Sequence, residues 1–347
     1  MVDDELADHF EWFATWADGT SPLYARLARG VADAADLLDL ARAAREDQPP
    51  PHLLFGAVHF HLLRGADHRL RRFYPSCVDD PLDPDAVDPF PAFREFALDR
   101  ADDLRPVIGT RRVQTNAVRR CTALLLGFER VSRAVDREPL ALVEVGPSAG
   151  LNLCWDRYGY DYGPFGSVGP ADSSCVLHCT VRGGDPPIPN SFPAVASRVG
   201  VDVNPLDVTD DADRDWLRAL VWPDHAERFR VLSAAVEVAR RDPPELIAGD
   251  GIDLLPQLLD RIPMERPVCL FTTQVLYQFD DDARRRFETL VAEHGEKREL
   301  HWLSGDETPN DDEQAIVLRH ASPGESRGEG KRIATYQQHG EWLRWDG

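Results

Sequence analysis

The sequence predicts an α/β protein in two parts: a helical N-terminal domain over residues 1–137, then a Rossmann-like doubly wound sheet over 138–347. Three observations carry that expectation. Residues 140–152, Leu-Ala-Leu-Val-Glu-Val-Gly-Pro-Ser-Ala-Gly-Leu-Asn, run from an apolar strand-like stretch through a glycine turn toward a helix. Further apolar runs follow at Val199–Val203, Pro244–Asp250 and Pro267–Thr273, each ending in polar residues. Helical stretches separate them, and the charged segment Asp281–His294 follows. Strands alternating with helices describe an open sheet whose site lies along the strand carboxyl ends.

In the first part, Phe10, Trp12, Phe13 and Trp16 open an aromatic amphipathic segment. Ser21 followed by Pro22 offers an N-cap and a first-turn proline. Apolar positions three and four apart over 31–46 (Val31, Ala34, Ala35, Leu38) predict a helix. Pro49-Pro50-Pro51 breaks the chain before a helix over Leu53–Arg64. The segment 75–91, rich in proline and aspartate, predicts a surface loop, and helices are expected over 90–103 and 112–135. In the second part, Tyr158–Gly163, Ser174–Val181 and Gly183-Gly184 predict a β-hairpin insertion within 156–195. Later strands are expected at Leu300–Leu303, Ala315–Arg319 and Arg332–Tyr336.

The glycine turn admits two chemistries. Glu144-x-Gly146-x-x-x-Gly150 resembles the opening motif of class I S-adenosylmethionine-dependent methyltransferases, where the glycines admit the methionine end of the cofactor. Gly146-x-Ser148-x-Gly150 also spells the nucleophile elbow of α/β-hydrolases, with Ser148 as nucleophile. The acid that a nucleotide site needs on the next strand, placed for ribose hydroxyls, is present as Asp202, followed by Asn204. Asp250 and Ile252, past the third strand, would approach the adenine. The hydrolase reading lacks an oxyanion-hole glycine cluster before the elbow, and its triad would draft Asp250 with His301, His320 or His339.

Several blocks resemble the family known as domain of unknown function 2332, found in bacteria and haloarchaea. They are Leu53–Gly65, Phe73–Ser76, Gln114–Asn116, Glu144–Asn152, Asp156–Tyr158 with Tyr160–Gly163, and Asp202–Pro205. The resemblance covers nearly the whole chain and implies a methyltransferase-like fold. On this reading S-adenosylmethionine is held by Glu144, Gly146, Ser148, Gly150, Asn152, Asp202, Asn204, Asp250 and Ile252. A small-molecule acceptor enters between cap and sheet past Gln114, Asn116, Arg157 and Tyr158, with Tyr277 and Gln274 positioning it for transfer. Gln114 and Asn116 are expected near a helix start, where capping is the competing role. A different class of reading is a non-catalytic ligand-binding protein that keeps the fold, which Pro147 in the loop favours.

Composition narrows the setting. Sixty acidic against 39 basic residues give a net charge of −21, and only Lys297 and Lys331 are lysines. Such a surplus suits a halophilic cytosol, where molar salt shortens the Debye length to about 3 Å. It argues against nucleic-acid binding through a broad basic surface. No apolar run reaches the roughly 20 residues of a membrane span, and the acidic Met-Val-Asp-Asp-Glu start is unlike a secretion signal, so a cytoplasmic protein is expected. The six cysteines read as reduced thiols. Cys175, His178 and Cys179 would not chelate zinc, because on a strand His178 faces away from the two thiols. His59 and His61, about 200° apart on a helix, would not share a metal either. Oligomeric state is left open.

Overall fold

The computed structural model describes residues 2–309 and 314–347. Its α-helices are α1 (Val2–Ala17), α2 (Pro22–Ala32), α3 (Ala35–Ala41), α4 (Pro50–Leu63), α5 (Phe90–Asp99), α6 (Ala101–Thr110), α7 (Cys121–Ala134), α8 (Asp211–Ala219), α9 (Ala226–Arg241), α10 (Gly251–Asp260) and α11 (Asp281–Gly295). Its strands are β1 (Leu140–Val145), β2 (Gly159–Asp161), β3 (Ser167–Val168), β4 (Val176–His178), β5 (Thr180–Gly183), β6 (Val195–Asp202), β7 (Glu245–Ala248), β8 (Val268–Thr273), β9 (Leu300–Glu307), β10 (Ala315–Ala321), β11 (Lys331–Gln337) and β12 (Trp342–Trp345). Among the described residues no helix is long and apolar enough to cross a membrane.

The chain divides into two compact units, Met1–Thr115 with Asp210–Ser233, and Asn116–Thr209 with Ala234–Gly347. This division does not follow residue 137. Helix α7 lies in the second unit, packed on β9, β10 and β11, while α8 belongs to the first.

The first unit is helical and built around α4, which is apolar on nearly every side and contacts α1, α3, α6 and α8. A helix without a polar face is stable only as an interior element. Gly56 on α4 admits the Trp216 ring of α8, which would stand 3.1 Å from an added Cβ. Ser21 caps α2 as expected, its side chain accepting from the Tyr24 N–H, and Pro22 opens the helix. Other boundaries moved. The stretch 31–46 breaks at Asp33–Ala34 into α2 and α3, and 90–103 breaks at Arg100 into α5 and α6. Pro50 and Pro51 form the first turn of α4 instead of preceding it, a place where a missing N–H costs nothing.

The second unit carries a nine-stranded, mostly parallel sheet in the order β5-β12-β11-β10-β9-β8-β1-β6-β7. Strands β7, β6, β1, β8 and β9 run parallel, and β10, β11 and β12 alternate antiparallel beyond them. β1 and β8 are buried at all six positions, as central strands covered on both faces must be, which explains their unbroken apolar runs. The chain proceeds from β1 outward to β6 and β7, then crosses back to β8 and β9, so the strand order reverses at β1. Ligands of open α/β sheets bind outside the carboxyl ends of strands at such a reversal. Within 156–195 the β2–β3 pair is antiparallel, as a hairpin is, but β4 adds parallel to β2 and β5 joins the main sheet beside β12.

Candidate functional site

The turn after β1 is shaped by backbone conformation before any ligand is considered. Gly146 (φ 76°), Ser148 (φ 53°) and Gly150 (φ 70°) all take left-handed geometry. A Cβ on Gly146 would lie 2.5 Å from Val275 Cγ2, and one on Gly150 would lie 2.7 Å from Pro244 Cγ. Both glycines therefore answer to packing as well as to φ. The helix expected after Gly150 is a seven-residue 3-10 helix, Leu151–Arg157. Its carbonyls are diverted from α-helical pairing: Leu151 O accepts from the Tyr158 hydroxyl at 2.8 Å, and Trp155 O from the Tyr160 hydroxyl at 2.6 Å. So short an element adds little macrodipole to the turn.

Asp202, at the end of β6 and only 7% exposed, ties the two strand ends together. Its Oδ2 accepts from the Ser148 N–H at 2.8 Å, and its Oδ1 from the Asn204 N–H at 2.8 Å. Beneath the turn, fully buried Glu144 accepts from Asn152 Nδ2 at 3.1 Å, and Asn152 Nδ2 also reaches Thr273 Oγ1 on β8 at 3.4 Å. The second oxygen of Glu144 is buried with no hydrogen-bond partner among the described residues. Burial pushes the Glu144 carboxyl up to about 8, with Asp202 adding to the rise while Asn152 and Arg120 oppose it.

Arg120 was not anticipated. It lies in the 3-10 helix Val118–Arg120, donates from Nε to Gln338 O at 2.8 Å, and is held below its ordinary value by burial. Tyr336 of β11, Asp306 of β9, Tyr277 and Glu144 all act on its charge. The Tyr336 hydroxyl is likewise buried without a partner, and a Cβ on Gly305 would lie 2.4 Å from it. Asp306 organises the loop after β8: Oδ1 accepts from the Val275 and Leu276 N–H groups at 2.7 and 3.0 Å, and Oδ2 from Thr272 Oγ1 at 2.6 Å. The one sequence signal for Arg120 is an arginine doublet directly ahead of an apolar helix. Nothing local marks Tyr336.

Asp250 and Ile252 flank Gly251, which packs on Val145 at the end of β1, where an added Cβ would lie 2.6 Å from Val145 Cγ1. Asp250 caps α10, its Oδ1 accepting from the Ile252 and Asp253 N–H groups, and Ile252 packs in the core. Gln114 and Asn116 occupy an irregular segment, 111–117, in place of a helix start, and Asn116 Nδ2 is buried without a partner among the described residues. Arg157 pairs with Asp242. Tyr158 is fully buried. Tyr277 is 67% exposed in a 3-10 turn, and Gln274 takes φ 57° with its N–H on Gly305 O at 3.0 Å.

Ser148 meets one condition of a nucleophile elbow, its positive φ, and fails another. Its Oγ is buried with no hydrogen-bond partner among the described residues, so no base adjoins it. His301 begins β9 and bonds His320 at 2.9 Å, which puts both at the amino edge of the parallel strands, opposite the turn.

No curated protein matches the chain. The family model described as "Uncharacterized protein conserved in bacteria (DUF2332)" matches residues 7–345, and the chain belongs to that family.

Proposed function

We propose that this chain binds S-adenosylmethionine along the carboxyl edge of its parallel strands and methylates a small-molecule acceptor, as a Rossmann-like methyltransferase. The observation that carries this reading is the Asp202 carboxylate, which joins the end of β6 to the glycine turn after β1. The Ser148 and Asn204 amides both donate to this carboxylate, which holds it at the carboxyl edge of the sheet, the place where a nucleotide site needs an acceptor for a ribose diol.

The donor set fits the amino-acid end of the cofactor. Arg120 is a buried guanidinium suited to a carboxylate, and the orphaned Glu144 oxygen is a buried acceptor suited to an ammonium. When bound, the cofactor supplies an electrophilic methyl on a sulfonium. The chain's own task is then placement, since orientation alone accounts for much of the barrier in such displacements. Tyr277 and Gln274, on the loop that Asp306 organises, would carry that task. A ligand ammonium on Glu144 would ionise a carboxyl that is otherwise protonated at neutral pH, so binding releases a proton.

A ligand-binding protein without methyl transfer is the second reading, favoured by Val275, which fills the space over Gly146. Calorimetric titration of S-adenosylmethionine and S-adenosylhomocysteine, in molar potassium chloride to match the acidic surface, tests both. Micromolar binding that weakens about 100-fold in Asp202→Ala, where roughly 2.7 kcal/mol of hydrogen bonding is lost, supports the cofactor site. No heat with folded protein sinks the methyltransferase reading, and binding without turnover leaves the second.

A further inference from the structure

The helical unit holds a second polar cluster that the cofactor site does not use. His59 on α4 is fully buried, with Nδ1 3.0 Å from the Ala219 carbonyl and Nε2 2.6 Å from Ser76 Oγ. A carbonyl only accepts, so Nδ1 carries the proton, Nε2 bears the lone pair, and the Ser76 hydroxyl donates to it. The tautomer is thus fixed by a backbone group, the orienting role that a carboxylate fills in hydrolase triads. Tyr74 stands beside the imidazole, and Tyr24 stands beside Tyr74. The Tyr74 ring lies 5.2 Å from the imidazole, centroid to centroid, and the Tyr24 and Tyr74 rings are 6.5 Å apart. Both hydroxyls are buried without a hydrogen-bond partner among the described residues. Both also feel the Asp224 carboxyl and the Cys77 thiol, whose sulfur is 3.7 Å from Ser76 Oγ. Buried hydroxyl donors left without acceptors are costly, and two of them beside a serine–histidine pair point to an oxygen acceptor that belongs there.

We infer that Ser76 is a nucleophile activated by His59, acting on a small acyl ester whose carbonyl oxygen is received by the Tyr24 and Tyr74 hydroxyls. Ser76 Oγ adds to the acyl carbon as its proton passes to His59 Nε2. The ester C–O bond breaks, and the leaving alkoxide takes that proton from His59. Water then adds to the acyl-serine, with His59 accepting its proton and returning it to Ser76 Oγ, which releases the carboxylic acid. Ser76 is partly exposed at the turn after Tyr74. Burial lowers His59 to about 4, so the imidazole stays neutral and able to accept across ordinary pH.

The test treats the full-length protein with a small alkyl fluorophosphonate and reads intact mass and peptide maps. One adduct on the Ser76 peptide is expected, absent in Ser76→Ala and formed about 100-fold more slowly in His59→Gln. Tyr74→Phe, which keeps the ring and removes only an unpartnered hydroxyl, is expected to fold and to slow labelling by about 100-fold. Three results would overturn the assignment: no adduct on folded protein, an adduct on Ser148, or labelling of Ser76 at the wild-type rate in Tyr74→Phe.

Discussion

Around His59 the helical unit gathers an imidazole with serine and tyrosine hydroxyls, whereas the sheet unit buries ionisable groups: Arg120, Glu144 and Asp202. Among the described residues both interiors leave polar atoms without a hydrogen-bond partner, Tyr24 and Tyr74 in one, Glu144 and Tyr336 in the other. Their chemistry differs accordingly. Neutral hydroxyl donors suit a developing oxyanion, while a buried guanidinium and carboxyl suit a zwitterion. The comparison also separates two uses of backbone geometry. The first cluster hangs from a regular helix, but the second depends on a turn in which three of five residues have positive φ.

That dependence is the easiest part of the contrast to break. Gly146→Val combines a left-handed φ, worth about 1–2 kcal/mol for a residue with a Cβ, with overpacking of about 1–3 kcal/mol against Val275. Urea unfolding is expected to show a loss of about 4 kcal/mol. A variant as stable as wild type would mean that the turn relaxes and that the glycine matters to ligand alone.

The charge can be read through pH. An unfolded glutamate titrates near 4.5, while buried Glu144 titrates near 8, so between those values the folded protein holds a proton that the unfolded chain has released. Stability from this group is complete below about pH 4.5 and is lost as pH rises toward 8. Glu144→Gln removes the titration. Its stability relative to wild type is therefore expected to climb with pH, by about 3 kcal/mol at pH 7 on the scale of 1.4 kcal/mol per unit. Denaturation of the two proteins from pH 5 to 8 measures the gap, and parallel curves would remove the basis for proton-linked ligand binding.

Much of the sheet was legible because its strands are buried on both faces. β1 and β8 announce themselves as apolar runs, as does the buried second half of β6, and the alternation with helices follows. Asp202 was legible for the same reason, as the polar end of such a run. What escaped depends on pairing across long separations. Trp342–Trp345 alternates with too few apolar residues to read as a strand, and it becomes one by pairing with β11 and, in parallel, with Thr180–Gly183 from far upstream. Arg120 and Tyr336 come from segments far apart in sequence, and only the fold brings Tyr336 to Arg120 and Arg120 to Glu144. Arg157 and Tyr158 show the opposite case, a conspicuous motif whose contacts in the fold are structural. Their motif is prominent, but its tyrosines and arginine stabilise the 3-10 helix and the chain around Asp242.

Tyr158 gives the finest test of that last distinction. Its hydroxyl donates to Leu151 O inside the core, so Tyr158→Phe leaves a buried carbonyl short of one donor while preserving the ring. A net loss of about 1 kcal/mol is expected by urea unfolding, with affinity for S-adenosylhomocysteine unchanged. The two readouts divide structure from recognition, because a packing role moves only the first. A weakened affinity at unchanged stability would return Tyr158 to the ligand site and make the prominent motif a binding element after all.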